Sequence, residues 1–599
     1  MRPGKPPLPL IQALLGNALL HHRAGRLTEA MQIYRQILAI DRHHADSLHL
    51  LGMIAYQAGS HPLAVEMIRR AIAINHKQAA YHSNLGTVLQ SQGQLDEAAA
   101  CYERALALQP ELAEAHYNLG NVLHAQHKDG NKDNDNDKDK DKLDKAVACY
   151  ENALALQPGL TEAHYNLGNA LQSQDKLEEA MACYERALAL DPEKYEALHN
   201  LGNALQSQGR LQEAMACYDR VLALQPGYAK AHYSMGCALH NLGDVDGALV
   251  RYRLARALQP DLAEAGFSQS LAHLLLGDFA AGWQNFAWRW QTKDHDTPMR
   301  AYSQPLWTGE KLASGRLLIW GEQGVGDEIM FAGLIPDVIR AGHRILLDCD
   351  ARLKPLFARS FPGIDVLTEP SSENEPGNYR GHGPGPEIAA HLPSGSLPGL
   401  FRATHAAFAA TTSPYLTADP GKREQFRSRY ADAGKRLVGL AWHTNSRKTG
   451  RCRSIDLSTF APLFARPGFR WVSLQYGDYD TLQSQAAAAT SPILIDRSVD
   501  QFSSIDTFAA QIAAMDLVVT IDNSTAHLAG ALGVPTWVLL PFAPDWRWLQ
   551  AREDSPWYPT LRLFRQTRRD DWQSVMQKVH IALGFLPGRS AFFAQPAIL

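Results

Sequence analysis

The chain has 599 residues, room for about three or four domains. Its 58 basic and 62 acidic residues leave a formal charge of −4, which excludes nucleic acid and a charged membrane surface as the expected main partners. The seven cysteines show no CxxC or Cys/His ligand spacing, so reduced thiols and a cytoplasmic protein are expected.

At the N-terminus, Arg2 and Lys5 precede an apolar stretch with a faint likeness to a signal peptide. Pro6, Pro7, Pro9, Gln12 and Asn17 interrupt it, and residues 11–44 fit the first frame of a repeat, so a helix is expected instead. No run in the chain approaches the ~18 apolar residues of a membrane span. Asn84-Leu85-Gly86 returns as Asn118-Leu119-Gly120, Asn166-Leu167-Gly168 and Asn200-Leu201-Gly202. Ala98, Tyr102, Ala105 and Pro110 follow Gly86, and Ala180, Tyr184, Ala187 and Pro192 follow Gly168 in the same register. Period and marks resemble the tetratricopeptide (TPR) repeat, a pair of antiparallel helices stacked into an α-solenoid. Gly and Ala are expected where helices touch, and Tyr between repeats. Cys101, Cys149, Cys183 and Cys217 share one repeat position and read as small buried hydrophobes.

A solenoid has no catalytic pocket of its own and usually presents its concave face to another polypeptide. Asn84, Asn118, Asn166 and Asn200 occupy one position on successive first helices. Such a ladder of carboxamides, with donors and an acceptor, suits an extended peptide backbone; Asn at that position also serves helix packing. Eight frames fit between residues 11 and 296. The last is degenerate, and its Trp283, Phe286, Trp288 and Trp290 suit a cap that docks onto a following domain. One frame carries an insert of Lys, Asp and Asn over residues 128–141. Lys138 stands where a calcium loop needs Gly and Asp144 where it needs Glu, so a solvated, disordered turn is expected.

A linker over residues 297–315 leads to short apolar strands that alternate with helical stretches. Arg316–Gly321, Arg344–Asp350 and Asp365–Thr368 read as strands of one α/β unit (316–430), punctuated by the Gly/Pro-rich run Ser371–Pro386. A second unit (431–585) is expected to place strands at Arg436–Trp442, Arg470–Gln475, Pro492–Asp496, Leu517–Asp522, Thr536–Pro541 and Leu561–Arg565. Residues 586–599 form a tail. Alternation of this kind implies parallel sheets, here two Rossmann-like domains with a cleft between them. Ligands bind such sheets beyond the strands' carboxyl ends.

Three turns there carry candidate chemistry. Gly321-Glu322-Gln323-Gly324-Val325-Gly326-Asp327 enters a helix, yet it is neither a dinucleotide fingerprint nor a P-loop. Asp327 either caps that helix or offers a carboxylate that takes a proton from an acceptor hydroxyl. His443 to Ser454 mixes hydroxyls with Arg447, Lys448, Arg451 and Arg453, which suits a diphosphate whose charge grows as its bond breaks, and also suits a solvated loop. Asp522-Asn523-Ser524-Thr525-Ala526-His527 opens a helix whose free N–H groups form a phosphate site or a plain cap. Asp348-Cys349-Asp350 has the D-x-D spacing of metal-dependent sugar transferases, but its place at a strand end also fits a solvent-facing pair, and no metal site is expected.

Residues 310–585 resemble glycosyltransferase family 9, which includes the ADP-heptose lipopolysaccharide heptosyltransferases. The resemblance rests on the Gly326-Asp327 turn, the Lys/Arg loop ending at Arg453-Ser454-Ile455, Asp522 with His527-Leu528, and the continuation Gly530-Ala531-Leu532-Gly533 with Pro535. The whole chain is similar to bacterial proteins that fuse TPR repeats to such a domain. The resemblance implies a GT-B fold, a nucleotide-sugar co-substrate, inversion at the anomeric centre, and neither metal nor other cofactor. It assigns Asp327 as catalytic base, and Lys448 or Arg453 as the cation facing the leaving phosphate. It matches Asn523, Ser524 and His527 to the phosphate-binding helix start; Gly324, Gly326, His443, Gln475 and Asp522 are also expected around the donor. The heptosyltransferase Lys-His-Trp-Pro is missing from the basic loop, which leaves the donor open. With the Asn ladder, the expected activity is O-glycosylation of a protein, flagellin by analogy. The alternatives are a glycan or lipopolysaccharide acceptor, or an inactive scaffold. Asp545-Trp546-Arg547-Trp548 and Ser555-Pro556-Trp557-Tyr558-Pro559 are expected to line the cleft.

Overall fold

A computed structural model describes residues 8–130, 136–293, 295, 297–368, 388–411, 413–446 and 450–586. The chain divides into two compact units, Met1–Gly227 and Tyr228–Leu599. The last two helical repeats group with the α/β half, where Tyr252, Phe279, Trp283 and Phe286 are buried in its core, while the helix-pair pattern itself continues to Asn285.

The first unit is a TPR solenoid of six helix pairs: Leu8–Arg23 with Leu27–Ile40, Ala45–Gln57 with His61–Ile74, Ala79–Ser91 with Leu95–Leu108, Ala113–Gly130 with Asn136–Leu156, Thr161–Ser173 with Leu177–Leu190, and Tyr195–Ser207 with Leu211–Leu224. Tyr102, Tyr150, Tyr184 and Tyr218 each lie against the Gly of their own helix pair. A Cβ on Gly86, Gly120, Gly168 or Gly202 would come within 2.8, 2.7, 2.6 or 2.5 Å of the ring of Tyr102, Tyr150, Tyr184 or Tyr218. The phenols are buried, so their hydroxyls need partners: Tyr184 donates to Asn169 Oδ1 (2.9 Å) and Gln172 Oε1 (2.8 Å), and Tyr218 repeats the pattern with Asn203 and Gln206. The four register cysteines are half-buried rather than buried, and all seven thiols are free. The expected disordered turn over 128–141 is corrected on both flanks. Helix runs to Gly130 and resumes at Asn136, helped by the Asp141–Lys145 pair one turn apart, while residues 131–135 lie outside the described residues.

The second unit opens with the pairs Ala229–Asn241 with Val245–Leu258 and Ala263–Leu275 with Phe279–Asn285, the latter extended by a 3₁₀ turn over Phe286–Gln291. Two wholly parallel sheets follow. In the first, β1 (Arg316–Trp320), β2 (Ile345–Asp348), β3 (Asp365–Leu367) and β4 (Ile388–Pro393) lie in the order β3-β2-β1-β4. In the second, β5 (Arg436–Ala441), β6 (Phe469–Ser473), β7 (Leu517–Ile521), β8 (Thr536–Leu540) and β9 (Leu561–Arg565) run β6-β5-β7-β8-β9. Central β7 and β8 are buried along their whole length, as expected of parallel strands covered on both faces. Pro492–Asp496 makes only one bridge, Leu494 to Val472, and is not a strand. β4 was not expected; it follows the Gly/Pro-rich run, which lies outside the described residues. The supposed linker is part of the fold. Leu306 pairs with His391 of β4, and Trp307 is buried with its N–H on the His391 carbonyl.

The last repeat is fastened to both sheets. Arg289, 1% exposed at its side chain, donates to both carboxylate oxygens of buried Glu322 (2.8 and 2.9 Å), to Ser396 Oγ and to the Phe286 carbonyl. Glu322 also accepts the Gly395 N–H at 2.8 Å, so both buried charges are paired and hydrogen-bonded. Trp283 donates its indole N–H to the Arg402 carbonyl and packs edge-on against Trp546, with ring centres 5.5 Å apart. The expected docking cap is thus present, except that Trp288 turns back onto Gly266 of its own repeat.

The Gly–Tyr fit generates one expectation. Gly168→Ala puts a methyl into the Tyr184 ring and should lower stability by about 1–3 kcal/mol, the usual cost of overpacking. Gly159→Ala, with nothing within 4 Å of the new carbon, is the control. Equal denaturation midpoints for the two variants would refute the close-fit account.

Candidate functional site: a charge chain where two helix starts meet

The turn after β1 carries Gly324 as the N-cap of helix Val325–Ala332, with Asp327 at its third position. The turn after β7 carries Asn523 as the N-cap of helix Ser524–Ala531. The two helix starts nearly touch: a Cβ on Gly326 would lie 3.4 Å from His527 Cδ2 and 3.6 Å from Ser524 Cα. An added methyl at Gly326 would thus be in van der Waals contact with the facing helix start. Two sets of free backbone N–H groups and two positive dipole ends converge here, an arrangement that favours an anion.

Asp327 caps only weakly, accepting the Gly324 N–H at 3.4 Å. Its main partner is the Arg547 guanidinium, which pairs with Asp327 across the cleft and with Asp545 of its own loop at 2.7 Å. Arg453 continues the chain, 3.1 Å from Asp522 and 3.7 Å from Asp545. Asp327, Arg547, Asp545, Arg453 and Asp522 thus alternate in sign, three carboxylates against two guanidiniums. Burial pushes the Asp522 carboxyl up, against the pull of Arg453. Burial would also raise Asp545, but Arg547 and Arg453 outweigh it and hold it below the ordinary value. For Arg547 burial opposes the charge, and Asp327 and Asp545 more than compensate.

His527 is buried beside this chain. Its Nδ1 is 2.9 Å from the Tyr558 hydroxyl and its ring stacks on Trp548 at 5.2 Å. Burial, reinforced by Arg547, pushes its pKa down to about 3, so the imidazole is neutral. Asn523 spends its Oδ1 on the Ala526 N–H (3.3 Å) and the Thr520 hydroxyl (3.0 Å), while its buried Nδ2 has no protein partner.

Gly324, Gly326, Asp327, Arg453, Asp522, Asn523, Ser524 and His527 are therefore brought together. Others are not. Gln475 is a backbone clamp: its Oε1 accepts the Trp442 and His443 N–H groups, and its Nε2 donates to the His443 and Tyr476 carbonyls. That occupies the whole amide, which corrects its expected place against a ligand. His443 is exposed and lines a separate recess of about 660 Å³ with Arg451 and Ser454. Lys448 lies outside the described residues. The cleft beside the charge chain, about 330 Å³, is lined by Gly326, Asn445, Ser446, Tyr476, Ser524 and Phe502 among others. Of the D-x-D pair, Asp348 is engaged by Arg300 and Asp350 by Arg352. Among the described residues no group of three or more His, Cys, Asp or Glu side chains is placed to hold a metal ion.

Sequence reasoning set Asp545 and Arg547 in a segment that lines the cleft but gave them no role in the charge chain; the partner of Arg547, Asp327, lies 220 residues away.

The Asn ladder also differs in detail. Asn166 donates to Asn121 Oδ1 (2.9 Å) and the Tyr117 hydroxyl (3.2 Å), and Asn200 to Asn169 Oδ1 (2.7 Å) and the Tyr165 hydroxyl (3.4 Å). Asn84 meets His49 Nε2 at 2.8 Å. The amide N–H groups at 166 and 200 thus tie each repeat to the one before, and the Oδ1 atoms remain to accept a peptide N–H. All four ladder residues, Asn118 included, are half-buried.

Comparison with known proteins agrees on the repeats. Tetratricopeptide-repeat models match residues 21–85, 88–126, 137–175, 161–194, 183–216 and 202–243. Protein FlbA of Caulobacter vibrioides is 31% identical over 329 residues, 52% of this chain and 53% of that protein. The chain thus spans about half the length of this curated relative. Among solved structures, YrrB, described as a TPR protein with an unusual peptide-binding site, is 28% identical with a TM-score of 0.29, over 34% of this chain and 96% of that one. A thermophilic TPR protein of Thermus thermophilus, TTC0263, is 22% identical with a TM-score of 0.27, over 33% and 98%. The chain carries TPR repeats, an architecture for binding proteins. Among the described residues no helix is long and apolar enough to cross a membrane.

The neutral His527 sets a pH dependence. Its pKa of about 3 in the fold lies below the ordinary 6.5, so below pH 6.5 the unfolded chain binds a proton that the folded one refuses. Its contribution is complete above pH 6.5 and lost as pH falls toward 3, by up to about 1.4 kcal/mol per unit. His527→Gln should therefore lose less stability than the wild type between pH 7 and pH 5 in denaturant titrations. Parallel losses would show that His527 takes up its proton in the fold as readily as in the unfolded chain.

Proposed function

We propose that the α/β half is a nucleotide-sugar-dependent, inverting glycosyltransferase of the GT-B type, working without a metal, and that the TPR repeats present a polypeptide acceptor to it. The observation that carries this reading is the meeting of two helix starts, one carboxylate and two arginines where the carboxyl ends of two parallel sheets open. In the proposed reaction the acceptor hydroxyl oxygen attacks the anomeric carbon while Asp327 takes its proton. The bond from that carbon to the diphosphate breaks, and the helix N–H groups and nearby guanidiniums take up the charge left on the diphosphate. Metal independence is supported by Asp348 and Asp350, whose carboxylates are engaged by arginines. A polypeptide acceptor is supported by the Asn ladder, whose Oδ1 atoms recur once per repeat and suit peptide N–H groups without regard to side chains.

One observation favours a second reading. The ion pair between Asp327 and Arg547 would serve an inactive scaffold equally well, as a purely structural brace.

Turnover separates the two. With a panel of nucleotide sugars, the wild type should release nucleoside diphosphate in the presence of chelator. Asp327→Asn should cut the rate roughly 10²–10⁴-fold. A wild type that turns over no donor would leave the scaffold, and full activity in Asp327→Asn would make that residue a brace alone. Replacing Asn118, Asn166 and Asn200 together by Ala should weaken protein-acceptor use by about one to three orders of magnitude while sparing donor hydrolysis. Unchanged acceptor use in a variant of normal thermal stability would move the acceptor off the ladder, toward a glycan or lipid.

A further inference from the structure

We propose that Arg547 is the cation that meets the donor diphosphate, and that donor binding exchanges its Asp327 partner for a phosphate oxygen, freeing Asp327 to act as the base. The proposal rests on the glycosyltransferase reading above and adds an order to it: donor first, acceptor second.

Arg547 is built for one exchangeable partner. Its Nη1 and its backbone N–H both go to Asp545 Oδ1, at 2.7 and 3.1 Å, two residues away in the same loop. Its Nη2 goes to Asp327, which belongs to the other sheet's first turn. Losing Asp545 would undo the loop, whereas losing Asp327 breaks nothing local. Trp546, packed against Trp283 and stacked under the Arg547 guanidinium at 4.5 Å, fixes the guanidinium while a partner changes.

Charge arithmetic favours the exchange. The three carboxylates exceed the two guanidiniums by one negative charge, and His527 is neutral. A diphosphate entering beside this cluster gains from the two helix starts but finds the outer nitrogen of Arg547 already taken by Asp327. Arg453 is less available, since it is shared between Asp522 and Asp545. Moving Asp327 off Arg547 gives the phosphate a guanidinium nitrogen. It also leaves a carboxylate without its counter-ion, which is what a base needs in order to take the acceptor's proton. Before the exchange the Asp327 carboxylate is taken by Arg547; afterwards it is open to the acceptor hydroxyl. Premature attack by water is thereby discouraged.

The exchange has a test of sign. If Asp327 competes with phosphate for Arg547, removing the Asp327 charge should improve diphosphate binding, the opposite of what loss of a ligand-contacting or structural residue does. Calorimetry with ADP, GDP and UDP is the measurement. The diphosphate that binds the wild type should bind Asp327→Asn about 5- to 30-fold more tightly, because the competing pair no longer has to be broken. Arg547→Gln should bind it at least about tenfold more weakly. In the Arg547→Gln background, adding Asp327→Asn should change affinity less than about twofold. Unchanged or weaker binding by Asp327→Asn overturns the exchange while leaving the donor reading in place. Tightening that persists without Arg547 also overturns it, reducing the effect to long-range charge. A wild type that binds none of the three removes the donor reading and the exchange together.

Discussion

The buried pair of Arg289 and Glu322 is the constraint on which the second unit depends. Each charge has left water, and each is tolerated because hydrogen bonds replace it: two between them, then Ser396, the Phe286 carbonyl and the Gly395 N–H, four of the five guanidinium N–H groups in all. Such a pair adds little net stability, but breaking it by removing one partner typically costs about 3–5 kcal/mol. Its value here is positional. Glu322 stands in the same turn as Asp327, and Arg289 stands in the last helical repeat. Earlier in that repeat, Trp283 packs on Trp546, the neighbour of Arg547. One repeat thus braces both partners of the ion pair across the cleft, and the cap of a solenoid is also the foundation of the site.

Electrostatics and topology act together in that site. Parallel sheets send their strand ends, and hence helix starts, to one side. Two positive dipole ends brought together require negative charge nearby, and Asp327, Asp522 and Asp545 supply it. Those carboxylates in turn require Arg453 and Arg547. Each charge in the chain answers the one before, and the sum lies close to neutrality with one negative charge over. His527, buried and stacked on Trp548, adds a polar ring without adding charge.

What the sequence made legible was what repeats or alternates. The TPR register was readable because the Gly–Tyr contact recurs in pair after pair, and the strands because β1, β2, β5, β7, β8 and β9 are short apolar runs. What stayed hidden depended on partners far apart in the chain. Arg547 and Asp327 are 220 residues apart, Arg289 and Glu322 33, and no local pattern announces either pair. Gln475 was expected beside the donor, yet its place at a strand end lets its amide reach the backbone of the neighbouring loop. The 297–315 segment looked like a linker because it lacks periodicity, although Trp307 anchors it against β4. The ladder was legible as a ladder; that its N–H groups face the preceding repeat was not.

If this chain moves a sugar onto a polypeptide, as proposed, intact-mass spectrometry of proteins from cells with and without it will show the product. One protein should lose the mass of whole sugar residues when the chain is absent and regain it with the wild type but not with Asp327→Asn. Protein masses that stay unchanged while a surface glycan is altered would contradict the proposal.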